Sequence, residues 1–329
     1  SFDHEINPPV IFLHSCLCIF LYHVLGRAKA QLHSNPIDFG MMITLFGILS
    51  AFTWVIFKMA EDFPGLFGPV FKYLTANQLI MLVAALGISL PLSSWILFHV
   101  SNGRIRHSVI FRLIDQNLTG LILAGFLFST YLILVSVFNQ PAFDVDDIFF
   151  DADSNLWRWR FATADYRDYY WRPVHPFVLI IIRPLVSLVA FFLKGNTLHA
   201  TFILVAFTGA LCVFLVWYFV KQVLGDSLYA LLIASLFGAS TAQLVFSSLI
   251  ETYIFLAATT LVFLILMLKN KPLLLLVITG LVAFGITISN FGQTVIAHLL
   301  IKRDIKQWVK YGLVVVALVV PLTLLNNFV

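Results

Sequence analysis

"NLTGLILAGFLFSTYLILVSVF", residues 117–138, runs twenty-two residues without a charged side chain. At 1.5 Å per residue it makes a helix of about 33 Å, enough to cross the ~30 Å apolar core of a bilayer. The chain then reverses character. "FDVDDIFFDADSNLWRWRFATADYRDYYWRPVHPF", residues 143–177, holds seven of the sixteen acidic residues and four arginines, a net charge of −3. An outgoing apolar helix that delivers a charged, aromatic loop to one face is the element around which the rest of the chain is laid.

The composition fits that reading. With 60% hydrophobic and 11% charged residues and a mean hydropathy of +0.96, the chain is too apolar for a water-soluble globule of its size. Further runs, such as 252–268 (TYIFLAATTLVFLILML), repeat the signal. The expected fold class is all-α, a multi-pass transmembrane helical bundle. The net charge of +4 does not point to nucleic acid, because the basic residues lie between apolar runs, where loops on the cytoplasmic side carry them. Cys16, Cys18 and Cys212 all fall inside apolar runs and read as small core residues. The sequence begins at Ser1 with no recognisable cleavable signal peptide and stops at "PLTLLNNFV" after an apolar run, so either end reads as open to extension.

Charge between the runs sets the expected topology. Runs 8–25, 37–57, 76–98 and 117–138 are separated by Arg27, Lys29 and His33, by a balanced link at 58–75, and by Arg104, Arg106 and Arg112. The positive-inside rule puts 26–36 and 99–116 in the cytoplasm and the acidic loop, 139–175, on the extracytoplasmic face. Lys221, Lys269/Lys271 and Lys302/Arg303/Lys306/Lys310 then mark later cytoplasmic points. Parity allows one crossing between 173 and 221, although two apolar runs lie there. Segment 174–193, opened by His175-Pro176 and interrupted by Arg183-Pro184-Leu185, is expected to be the re-entrant or juxtamembrane one. Between Lys271 and Lys302 two half-spans are expected to meet near Ser289–Gln293. Glu251, Asn290 and Gln293 should therefore converge with the acidic loop at one face. Residues 1–116 read as accessory helices and 117–329 as the core.

Each polar candidate has a structural reading beside its functional ones. Asp144, Asp146, Asp147, Asp151 and Asp153 can supply a general base for an acceptor hydroxyl, or oxygen ligands for a divalent cation, or only mark the loop's sidedness. The cluster is compatible with a divalent cation but does not require one, so a metal and a cofactor both stay open. Arg158, Arg160, Arg167 and Arg172 can grip a phosphate or neutralise neighbouring aspartates. Trp157, Trp159, Tyr166, Tyr169, Tyr170 and Trp171 can form an interfacial belt or stack on a sugar. Glu251 is either functional or paired to a loop arginine. Asn290 and Gln293 either line a cavity or cap broken half-helices. Walker-type loops, zinc spacings and nucleophile elbows are absent from the sequence.

Over residues 117–329 the chain resembles the GT-C class of polytopic glycosyltransferases, protein-mannosyltransferase-like enzymes that use polyprenyl-phosphate sugars. "FDADSNLWRW" resembles the Asp-bearing first loop of that class, "RPVHPF" its His-Pro-Pro or His-Pro-Leu element, "SSLIETY" a Pro-Glu-x-Tyr-like turn, and "ISNFGQT" a helix break at the active face. The resemblance implies an integral membrane glycosyltransferase of a bacterial inner membrane with an extracytoplasmic active face. It implies Asp153, or Asp151, as the acceptor-activating carboxylate and Glu251 facing the same cavity. Arg172, His175 and Arg158 would stand at the donor phosphate, with Asn290, Gln293, Trp157 and Tyr170 lining the cavity. The implied partners are membrane lipids and a polyprenyl-phosphate sugar, with no nucleic acid. Two departures stand out: Phe177 takes the place of the second proline, and three helices precede the usual first one. A transporter or flippase and a non-catalytic subunit of a larger membrane complex are the rival readings. The flippase draws on the helix break and the subunit on the extra helices.

Overall fold

The structure is a computed structural model that describes residue 24 and residues 32–63, 109–139, 153–163 and 174–328. The expectations for runs 8–25 and 76–98, for Cys16, Cys18, Arg104, Arg106, Arg167 and Trp171, and for Asp144, Asp146, Asp147, Asp151, Tyr170 and Arg172 lie outside the described residues. Twelve helices occupy the described residues, and no strand occurs among them. Three are long and apolar enough to cross a membrane: Leu118–Val135, Thr197–Leu224 and Ile305–Leu325. The fold is all-α, and its apolar surface is that of a membrane protein. Phe191, for example, is 79% exposed, with Leu188, Leu236 and Leu313 also facing outward.

Two compact units divide the chain, Ser1–Phe126 and Leu127–Val329. The first contains α1 (Pro36–Asp62), α2 (Val109–Gln116) and the start of α3 (Leu118–Phe138). Helix α1 starts where the sequence provides a start: Asn35 Oδ1 accepts the Asp38 N–H, Pro36 needs no amide partner, and Asp38 faces the positive helix end. Phe46 and Phe126 pack ring to ring at 5.3 Å inside this unit.

The second unit holds the remainder of α3 and everything after it. Its helices are α4 (Ser154–Ala162), α5 (Val178–Phe192), α6 (Thr197–Leu224), α7 (Ser227–Gly238), α8 (Thr241–Phe246), α9 (Tyr253–Leu268), α10 (Leu273–Ile286), α11 (Ile288–Lys302) and α12 (Ile305–Phe328). Helix α6 is the central post, packing against α4, α5, α7 and α9. Its ends are written in the sequence. Asn196 caps the first turn by accepting the His199 N–H, and Gly225, at φ 72°, closes the last turn in the left-handed region. Asp226 then caps α7 through the amides of Leu228 and Tyr229.

One end of this unit is basic. Lys221, Lys269, Lys271, Lys302, Arg303 and Lys306 lie at or beside the α6–α7, α9–α10 and α11–α12 turns, and Lys269 reaches across α6 to sit 4.7 Å over the Tyr218 ring. From that end α9 and α10, of 16 and 14 residues, rise only about 24 and 21 Å. Helix α6 stands taller. Its Cys212 meets Ile254 at the start of α9, Sγ to carbonyl oxygen at 3.7 Å, and from there α6 continues back to Thr197, about 22 Å further. The start of α9 and the α10–α11 joint are thus recessed, and α4 and α5 stand beside the upper half of α6.

Helix α5 does not reach the basic end. It begins at the α10–α11 joint, where the Phe177 amide donates to Gly285 O at 3.2 Å, and it ends at the turn that opens α6. The helix passes through Pro184 without a break, so the expected interruption at Arg183–Leu185 is absent. Arg183 is used differently. Its Nη1 donates to Arg160 O and Thr163 O, at 2.7 and 2.6 Å, and Thr197 Oγ1 donates to Ala162 O. Those carbonyls are the unsatisfied C-terminus of α4, at the negative end of its dipole. A mid-run arginine that read as a break is a C-terminal cap for a neighbouring helix.

Candidate functional site

The two half-spans meet at Thr287, two residues before the expected stretch. Thr287 is extended (φ −156°, ψ 124°) between α10 and α11. A short piece of chain is stitched onto this joint in antiparallel fashion: the Phe177 amide donates to Gly285 O, and the Ile288 amide to Val174 O at 3.1 Å. The ring of Phe177 lies where a side chain at Gly285 would have its Cβ. A proline at 177 could make neither contact, having no N–H and only a small ring tied back to its own backbone that cannot reach over Gly285 as the Phe177 ring does. The departure from the His-Pro-Pro pattern thus has a local physical use.

Between the stitches sits His175. Its Nδ1 is 2.5 Å from Ile286 O and 3.2 Å from Thr287 Oγ1. Only an Nδ1–H can satisfy the carbonyl, which leaves Nε2 as the acceptor in the neutral ring. Trp157 of α4 packs edge-on against the imidazole, centroids 4.8 Å apart.

Glu251 belongs to the non-helical turn between α8 and α9 and is 3% exposed. Its Oε2 accepts the Thr252 amide. Burial pushes its pKa up to about 8; the nearby Asp153 carboxylate adds to the rise, and the amides of Thr252 and Asp153 pull against it. At neutral pH the side chain is therefore held mostly as the acid. Asp153 occupies the N-cap position of α4 but does not cap it with its side chain.

Asp153, His175, Glu251, Asn290 and Gln293, drawn from four separate segments, line one cavity of about 630 Å³. Thr252, Thr287 and Ser289 complete its polar part. Tyr253, Leu256, Ala257, Thr260 and Leu261, one face of α9 at helical spacing, give it a largely apolar wall, and Phe237 of α7 also borders it. The first turns of α9 and α11 both border it, so the positive ends of two helix dipoles face the space.

Two expected participants stand elsewhere. Arg158 is drawn into the scaffold, donating from Nη1 to Asn139 O and from Nη2 to Asn155 Oδ1, each at 3.1 Å. Trp157 is fully buried and supports His175 from behind instead of lining the cavity. Asn290 and Gln293 do not cap the joint: their side chains make no hydrogen bond to another described residue, and Thr287 Oγ1 meets the Ile286 carbonyl instead, at 2.7 Å. Among the described residues no three His, Cys, Asp or Glu side chains come together as a metal site.

Sequence reasoning missed Thr287, Thr252 and the α9 stripe. The stripe had a legible signal, since 253, 256, 257, 260 and 261 keep helical spacing within an apolar run. Comparison with protein-family models, curated proteins and solved structures finds no match to this chain.

Proposed function

We propose that the protein is a multi-pass membrane glycosyltransferase of GT-C type, moving a sugar from a polyprenyl-phosphate donor to a hydroxyl acceptor on the extracytoplasmic side. The observation that carries this reading is the meeting of Asp153, His175, Glu251, Asn290 and Gln293 around one cavity at the end away from the lysines. The chemistry divides among them. The acceptor O–H gives its proton to the Asp153 carboxylate as its oxygen bonds the anomeric carbon. The anomeric C–O bond breaks, and its electron pair leaves on the lipid phosphate. Protonated Glu251 keeps the cavity from carrying two negative charges, so an anion can enter. The N-termini of α9 and α11 stabilise the departing phosphate. Asn290 and Gln293 offer amides to sugar hydroxyls, and the α9 stripe receives the lipid. By the resemblance, Arg172 adds a guanidinium to the phosphate.

The test is transfer in liposomes with a panel of polyprenyl-phosphate hexoses and pentoses. Asp153→Asn is expected to cut the rate by roughly 10²–10⁴, the usual worth of a general base. A wild-type protein inert across the panel would refute the reading. The helix break at Thr287 favours a second one, a carrier for a lipid anion. Lipid flux across sealed vesicles with no sugar transfer would support it.

A further inference from the structure

Asn139, one residue beyond α3, is 8% exposed and is used on every side. Its Nδ2 donates to Val135 O at 2.6 Å and to Ser248 O at 2.8 Å, while its Oδ1 accepts the Ile250 amide at 3.1 Å. The carboxamide thus pairs with the backbone on both sides of Leu249, as a neighbouring strand would. Its main-chain oxygen receives Arg158 Nη1 from α4. Within the turn so gripped the helical pattern ends at Leu249, whose amide donates to Val245 O at 2.8 Å; the next amide, that of Ile250, is taken by Asn139, and Glu251 follows directly on Ile250. The helix so gripped begins at Asp153.

We infer that Asn139 is the positioning residue of the candidate site: its side-chain amide sets the turn that aims Glu251 into the cavity, and its carbonyl, through Arg158, holds the Asp153 end of α4 beside it. The chemistry is particular to asparagine. Only a carboxamide of this length donates to one backbone group and accepts from the next; Asp cannot donate, Ser cannot span, and Gln is a methylene too long. The role rests on the reading that Glu251 and Asp153 serve one site.

The test follows the titration of Glu251, which needs no sugar donor. A hydrophobic carbodiimide modifies protonated carboxyls in apolar surroundings, and peptide mass spectrometry reads the modified fraction at Glu251 against pH, with Glu251→Gln as blank. The other titratable groups lining the cavity, Asp153, His175 and Tyr253, are left unsubstituted in every variant. Asn139→Leu, which keeps the branched side-chain shape but none of the polar atoms, frees the turn and admits water, so the midpoint is expected to fall by roughly one pH unit or more. Arg158→Ala loosens only α4 and lowers it by less. Tyr131→Phe removes a buried hydrogen bond to Gly238 O in the same unit and is expected to lower the melting temperature with the midpoint unmoved. Where Asn139→Leu yields no folded protein, Asn139→Ser takes its place with the same expected fall. An unmoved midpoint in the folded Asn139 variant overturns the inference, as does an equal fall in Tyr131→Phe. A wild-type protein that shows the raised midpoint but no transfer defeats the proposed reaction and leaves the clamp standing.

Discussion

Replacing Glu251 by Gln isolates the cost of keeping a carboxyl in this cavity. The group's pKa rises from the ordinary 4.5 to about 8 on folding, chiefly by burial. Between those values the folded protein holds a proton that the unfolded chain has released, so stability falls as pH rises through that window and levels off above it. At about 1.4 kcal/mol per pH unit, the cumulative loss is on the order of 4–5 kcal/mol by pH 9. Below pH 4.5 the penalty vanishes. Glutamine keeps the size and cannot ionise, so the variant should lack this slope and be the more stable protein at high pH, by up to that amount. The assay is a set of thermal melts in one detergent from pH 5 to 9, wild type against Glu251→Gln. At roughly 2–4 °C per kcal/mol for a unit of this size, the two curves should separate by about 10 °C or more at the alkaline end. Other titrating groups are common to both proteins and cancel. Parallel curves would refute the argument, because they would mean that the carboxyl ionises as easily folded as unfolded.

Gly285→Ala places a methyl group against the buried Phe177 ring and is expected to cost about 1–3 kcal/mol in melts. Phe177→Ala in the same chain should return part of that loss, giving a coupling that a double-mutant cycle measures. Arg183→Met retains the bulk of the side chain but strips two charge-assisted bonds from the C-terminus of α4. It should cost on the order of 1.5–3 kcal/mol and raise protease cleavage around 153–163 before the bundle melts.

What was legible in the sequence, and what was not, follows from range. Apolar runs and their caps are local, so α6 could be bounded from Asn196 and Gly225 alone. Parity arithmetic used only charge and run length, yet it brought Glu251 and residues 290–293 to the same end as Asp153. It failed where a side chain serves a distant partner. Arg183 looked like a lesion in an apolar segment, and only the carbonyls of Arg160 and Thr163, some twenty residues earlier, reveal its use. Arg158 read either as a phosphate ligand, through its paired N–H donors, or as a counter-charge to neighbouring aspartates, and its use as a donor to the carbonyl of Asn139 shows only in the fold. Asn139 gave no signal, being one polar residue at the end of a long apolar helix. Its partners, Ser248 and Ile250, are more than a hundred positions away.

The depth of the cavity bears on which molecules can reach it. Glu251 and Thr287 stand at the tops of α9 and α10, about 21–24 Å of helix above the Lys269–Lys271 turn. If the lysines mark one edge of a ~30 Å apolar slab, the polar head of the cavity lies some 6–9 Å inside the other edge. A soluble sugar nucleotide would have to shed its hydration to descend that far. A lipid phosphate starts from the edge of the slab with its tail already inside it, so only its head group has to move inward over that distance. The α9 stripe runs from Tyr253 toward Leu261, away from the polar head and toward the interior of the slab. Polar groups above and an apolar face below, in one continuous space, match a single amphipathic molecule standing along the bilayer normal. The same geometry explains why a carboxyl is tolerated there. Glu251 is packed within the protein and accepts the Thr252 amide there, and under the proposed reaction an uncharged acid would serve an arriving anionic lipid head better than a second fixed negative charge.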